Sequence, residues 1–291
     1  MRFTWLVLVA IIGLASALVY GVSDFLGGVA SRRLRPLVAV ELTFVVATVI
    51  ALVAVLVEQP VWSARDLLLG LGAGVAGALA TWAFYGCLAI GPMSVLSPVV
   101  AVLNAVLPAI LGFALGERLG AIGLLGVAAV VIAAALLGVS RQADGSRLSV
   151  RALLLAVGAG VGFAAYFALI HFTAPESGLV PLVGDYLAGT LLIAIVLLVL
   201  RWRHGAVELA GLGRNRATGA AVLAGVLLAV ANILLVVGLH LGDLAVMSVL
   251  SALYPASTVF LAFWFLRERL SAWQWIGVVL GIGGTAAIAA G

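Results

Sequence analysis

Apolar residues run through this chain in long stretches, broken by short polar links. Ten stretches lie at roughly 4–29, 37–57, 67–89, 93–115, 120–139, 151–171, 180–200, 218–240, 244–266 and 272–290. Each is close to the ~20 residues that a helix needs to cross a hydrocarbon core ~30 Å thick. In lipid no water can pair an open backbone group, so spans of this kind form helices. The longest link, RWRHGAVELAGLGRNRATG, leaves no room for a soluble domain. The expected fold class is therefore an all-α integral membrane protein with ten transmembrane helices.

Composition agrees. Of the 291 residues, 65% are hydrophobic and 9% charged, against roughly a quarter charged in a soluble domain. A net charge of +4 on such a chain carries no message about nucleic acid. What matters is where the basic residues sit. With the N-terminus placed outside, the inner loops receive Arg32, Arg33, Arg35, Arg141, Arg147, Arg151, Arg201, Arg203, Arg214, Arg216, Arg267 and Arg269. The outer side receives only Arg2, Arg65 and Arg118. Both termini are thus expected on the extracytoplasmic side. All basic residues are Arg, and the Ala, Gly and Val content suits a GC-rich bacterial genome; the expected location is a bacterial cytoplasmic membrane. The N-terminus has the layout of a signal peptide, with Arg2, an apolar run and Ala15–Ala17. The apolar run continues to Ala30, however, and cleavage would leave SRRLRP outside, so it is read as the first span. The lone Cys87 excludes an intrachain disulfide and a cysteine metal cluster.

The chain repeats itself. LGERLGAIGLLGV at 115–127 and LRERLSAWQWIGV at 266–278 share one register. Laid without a gap, 91–140 on 242–291 gives about thirteen identities in fifty. The first halves match more loosely, as YGVSDF on span 1 and FAAYFA on span 6 show. The pattern predicts two five-helix units, 1–140 and 141–291. Five is odd, so the second unit enters the membrane from the other side, and the repeat is inverted, as in many secondary transporters. Glu117-Arg118 and Glu268-Arg269 then mark the turn between the fourth and fifth helices of each unit. A Glu beginning a helix complements its dipole, which makes a structural role the simpler one.

These stretches resemble the EamA domain of the drug/metabolite transporter superfamily. Gly91-Pro92, Glu117-Arg118-Leu119 and Gly126 match its pattern in the first unit. Gly242, Pro255, Glu268-Arg269-Leu270 and Gly277 match in the second. The resemblance implies transport, by relatives that carry amino acids, amines, nucleobases and drugs, and does not select a substrate. There are departures. Asn104 stands where the pattern has Pro, Asp243 follows Gly242 where Pro92 follows Gly91, and Glu41 lies near where many relatives have Arg.

Candidate working residues follow from depth. Asn104 and Tyr254 fall near the midpoints of spans 4 and 9, where inverted-repeat carriers bind substrate. Pro98, Pro108 and Pro255 interrupt helical hydrogen bonding there. Trp82 and Tyr85, three apart, are expected on one face of span 3. Tyr20, Tyr166 and Asn232 lie at comparable depth. Such a pocket suits an apolar or cationic solute, although aromatic residues at helical spacing are often only packing.

The intramembrane acids form a second set. An ionised acid at mid-helix costs roughly 2.5–3.5 kcal/mol on insertion scales and needs a partner, water or a proton. Asp24 and Glu41, on consecutive spans, are either a proton-coupling pair or ion-pair partners of Arg32, Arg33 or Arg35. Asp185 has His171 as a candidate partner, with His240 and Asp243 at similar depth, as a gate or as interfacial residues. Gly70, Gly74 and Gly77, Gly158 and Gly162, and Gly277 and Gly281 have the small-xxx-small spacing of close helix contacts.

No zinc-protease, dinucleotide, Walker or paired-Cys motif is present, so no enzyme, cofactor, metal or ATP-driven step is expected. The expected function is a secondary carrier for a small metabolite or drug-like solute. By family resemblance it is an exporter working by alternating access, with protons as candidate coupling ions. The alternative is a lipid flippase of the same fold, with membrane lipid as the cargo.

Overall fold

The apolar stretches form helices throughout the computed structural model, which describes residues 2–91, 93–137, 149–204, 216–251, 253–266 and 271–290. The second Glu-Arg turn, at 267–270, lies outside the described residues. The helices are α1 (Arg2–Ser31), α2 (Pro36–Glu58), α3 (Ala64–Ile90), α4 (Met93–Ala114), α5 (Ala121–Leu137), α6 (Val150–His171), α7 (Val180–His204), α8 (Arg216–Leu241), α9 (Leu244–Ser251), α10 (Tyr254–Leu266) and α11 (Ala272–Ala290). A single 3-10 turn, Pro175–Ser177, precedes α7. No strand occurs among the described residues. Six helices, namely α1, α2, α3, α6, α7 and α8, are long and apolar enough to cross a membrane; shorter apolar segments lie in α4, in α5 and across α9 and α10. The chain is a multi-pass membrane protein.

Local chemistry sets the helix ends. Pro36 begins α2, where its missing N–H costs nothing. Ser63 caps α3 by accepting from the Asp66 N–H at 3.2 Å. Gly116, at φ 96°, makes the turn out of α4, a conformation that strains residues with a Cβ. The ninth apolar stretch differs from expectation. Among the described residues it is divided into α9 and α10, with a turn at Leu253 just ahead of Tyr254 and Pro255. Pro255 has no N–H for the carbonyl four residues back, so the ladder cannot run through.

Packing is close because facing side chains are small. α1 lies along α8, α3 along α6 and α7, α2 along α7 and α8, α4 along α6 and α9, and α5 along α11. Hydroxyls tie the pairs to backbone carbonyls. Ser16 donates to Ala231 O at 3.0 Å and Ser23 to Ala224 O at 2.8 Å, joining α1 to α8. Thr258 of α10 donates to Gly21 O of α1 at 3.0 Å. Such bonds average ~0.6 kcal/mol in membranes, and here they fix register between helices. The α3–α7 contact shows why glycine is needed. A Cβ at Gly70 or Gly74 would run into the backbone of Pro181 or Asp185. Gly158, by contrast, faces open space; on α6 it is Gly162, against Ala80 and Ala76 of α3, and Gly160, against the Leu103 side chain, that meet neighbours.

Candidate substrate cavity

Nine helices converge on one interior cavity, whose volume is about 50 Å³ measured at water centres. α1 contributes Tyr20 and Asp24, α2 Phe44, and α3 Gly77, Thr81 and Tyr85. α4 contributes Asn104, α6 Phe163, Tyr166 and Phe167, and α7 Asp185. α8 adds Leu228 and Asn232, α9 Ser251 and α10 Tyr254. Ser251, which ends α9, and Tyr254, which begins α10, therefore both border the cavity. The volume holds only a few waters, where one water needs ~10–15 Å³ on this kind of measure.

Eight sequence-based candidates meet there: Tyr20, Asp24, Tyr85, Asn104, Tyr166, Asp185, Asn232 and Tyr254. Some are held by protein partners. The Tyr20 hydroxyl donates to the Asn232 carbonyl oxygen. Asn232 Nδ2 donates to the Tyr186 hydroxyl at 2.6 Å, which donates to Leu228 O at 3.3 Å. The Tyr254 hydroxyl donates to Ser97 O at 3.1 Å, tying α10 to α4. Its ring stands edge-on to Phe84, with centroids 6.3 Å apart. Others have no hydrogen-bond partner among the described residues. At a limit of 3.5 Å these are both oxygens of Asp185, Asn104 Oδ1, Tyr166 Oη and Ser251 Oγ, although the Tyr166 hydroxyl and the Asp185 carboxylate interact with each other. Asp185 is 1% exposed and Asn104 5%.

The remaining candidates lie elsewhere. Trp82 is 40% exposed on the outer face of α3. The inward stripe is Gly77–Thr81–Tyr85, at i+4 steps; Trp82 is one residue past Thr81 and turns about 100° away. The expected pairing of Trp82 with Tyr85 in one pocket is thus corrected. Glu41 is outside the cavity lining, a helical turn before Phe44, and its buried Oε2 has no partner among the described residues. Asp24 and Glu41 do not share the cavity. Nor does either acid form an ion pair with Arg32, Arg33 or Arg35 among the described residues; those three arginines are exposed. His171 does not partner Asp185, which faces the cavity. Its Nε2 lies 4.0 Å from Glu117 Oε1. His240 Nε2 is 3.0 Å from Thr173 Oγ1, and Asp243 is exposed. Pro98, Pro108 and Pro255 all sit in helical backbone, the first two in α4.

Glu117 has a role that the sequence assigned to the wrong helix. Its carboxylate does not serve α5, which follows it. It accepts from the backbone N–H groups of Leu244 and Ala245 at 2.7 and 2.8 Å. These are the first residues of α9, so Glu117 caps a helix about 130 residues away in sequence and joins the α4–α5 turn to it. Thr81, Ser251, Phe44, Phe163 and Phe167 line the cavity without having been singled out. Thr81 could have been found from its i+4 spacing to Tyr85; the phenylalanines carry no signal that separates lining from packing. No group of three or more metal-ligating side chains occurs among the described residues.

Residues 150–290 match the EamA-like transporter family. No curated protein matches the chain. The crystal structure of another protein shares the fold with a TM-score of 0.75, covering 96% of this chain and 95% of that one at 21% identity. At that identity the likeness speaks for the fold.

Proposed function

We propose that this chain, which belongs through residues 150–290 to the EamA-like transporter family of the drug/metabolite transporter superfamily, is a secondary carrier whose interior cavity is the solute site. The observation that carries the reading is the cavity itself. Helices from both halves of the chain build it, and its walls hold buried polar groups that no described residue satisfies. A polar group buried without a partner costs about 1–3 kcal/mol, so such groups fit a site that hydrogen-bonds a solute.

The inverted-repeat reading, with units 1–140 and 141–291, is supported by how the helices pair. Replacing each helix by its counterpart in the other unit turns α1–α8 into α6–α3 and α2–α8 into α7–α3. It turns α4–α6 into the contact of α9 and α10 with α1, and it maps α2–α7 and α5–α11 onto themselves. Two halves related by a pseudo-twofold axis pack this way, and rocking one against the other would expose the cavity to each side in turn. The arginine distribution favours extracytoplasmic termini in a bacterial cytoplasmic membrane, and the family resemblance favours export.

The test is saturable flux in proteoliposomes, with a solute panel covering cationic, neutral and anionic classes. Saturable counterflow that weakens when Asn104 is changed to Ala is expected. A folded protein that moves no solute of any class overturns the reading, and stimulated lipid scrambling in the same vesicles would assign the fold to a flippase.

A further inference from the structure

The unsatisfied groups in the cavity share one character: they accept. Asp185 is 1% exposed and lines the cavity, and its carboxylate, beside the Tyr166 hydroxyl, has no donor within 3.5 Å among the described residues. Asn104 Oδ1 is a third buried acceptor in the same wall and is likewise unpaired. The Tyr166 hydroxyl can offer its O–H to Asp185, and the Ser251 hydroxyl, with no partner among the described residues, can accept or donate. Asp24 adds a second carboxylate from α1. No Arg or His stands in the described lining. A buried carboxylate with one neutral hydroxyl beside it keeps most of its desolvation cost, far above that of a neutral polar group, so it calls for a proton or a cation.

Shape and ring chemistry narrow the cation. Aromatic side chains dominate the rest of the wall, and ring faces attract organic cations. The hydrogen-bond inventory narrows it further. A quaternary ammonium brings charge but no N–H, and would leave Asn104 Oδ1 and the Asp185 oxygens without donors. A protonated amine brings charge and two or three N–H groups together. The small cavity volume admits a short chain.

We propose that the cavity selects a small solute bearing a protonated primary or secondary amine, with Asp185 as its charge anchor and Asp24 as the second carboxylate. This rests on the carrier reading above and specifies its substrate class. One cation between two carboxylates leaves one negative charge, which a proton on Asp24 balances.

The test is ligand stabilisation and titration of the purified, full-length protein in detergent. The probes are n-propylammonium, n-propanol, tetramethylammonium and propionate, with sodium chloride at matched ionic strength. The amine is expected to bind at least tenfold more tightly than the alcohol or the quaternary ion. Asp185→Asn is expected to lower that affinity at least tenfold, and Asp185→Glu to retain part of it. Should Asp185→Asn fail to fold, Asp24→Asn and the wild-type ranking of probes still decide. The proposal is overturned if propanol or propionate binds as tightly as the amine, if sodium alone reproduces the effect, if no probe binds, or if a folded Asp185→Asn binds the amine unchanged. Saturable flux of a neutral or anionic solute would remove the amine and leave the carrier reading standing. Absence of flux for every class would remove both.

Discussion

Removing the Glu117 carboxylate should loosen the junction between the α4–α5 turn and α9. The side chain is 11% exposed and accepts two backbone N–H bonds, at 2.7 and 2.8 Å. Hydrogen bonds to charged groups contribute about 1.5–3 kcal/mol each in mutational series, and lost helix caps about 0.5–2. Water can reach part of this site, which argues for the lower ends. Glu117→Ala, losing both bonds and the charge at the α9 N-terminus, is expected to cost about 2–4 kcal/mol. Glu117→Gln keeps one acceptor oxygen and should cost about half as much. Thermal unfolding in detergent, followed by helix signal, reads the difference as a fall of roughly 4–16 °C for Ala, at about 2–4 °C per kcal/mol. Two controls make the reasoning exposed to failure. Arg118→Ala changes an exposed neighbour and should shift little. Gly112→Ala should mimic the loss of Glu117, because a Cβ there would run into the Glu117 carboxylate and lie 3.1 Å from the Ala245 nitrogen. If Glu117→Ala matches Arg118→Ala within ~0.5 kcal/mol, a surface-charge effect, the cap contributes nothing.

Other outcomes follow from the packing and the cavity. Gly74→Ala drives a Cβ into the Asp185 backbone and should destabilise by about 1–3 kcal/mol; Gly158→Ala, in open space, should be neutral or gain up to about 1 kcal/mol in helix propensity. Thermal melts of the pair check both. Trp82→Ala should leave flux through the carrier unchanged, since the indole faces outward, whereas Tyr85→Ala should reduce it several-fold; proteoliposome assays separate them. Glu41→Gln should leave solute-for-solute exchange intact, because Glu41 stands outside the cavity lining, and should remove the extra flux driven by a pH gradient. Persistence of that extra flux would leave Glu41 without a coupling role.

Among the described residues, hydrophobic runs placed the helix bounds to within a few residues, apart from the division of the ninth stretch, because a segment surrounded by lipid can satisfy its backbone in only one way. Depth along a helix was legible for the same reason: a residue's distance from the span ends is set by 1.5 Å per step. That is why Asn104, Tyr166, Asn232 and Tyr254 could be brought to one level before any packing was known. The match of residues 150–290 to the EamA-like family was legible from the motifs of the second unit. Facing direction was not. Trp82 and Tyr85 differ by only part of a turn, and which of them points inward depends on where α6 and α7 sit against α3. The same holds for acids. Asp24 and Asp185 stand in different halves of the chain, and local reading paired Asp24 with Glu41 or the arginines at 32, 33 and 35, and Asp185 with His171. Tertiary packing brought both to one cavity and left Glu41 aside. Glu117 makes the point most directly. Its sequence neighbours suggested its own helix, but an N-terminus is simply a cluster of open N–H groups, and the cluster within reach belonged to α9. Composition and periodicity decide what each segment must be in its solvent; only the close approach of small-residue helix faces decides which segments meet.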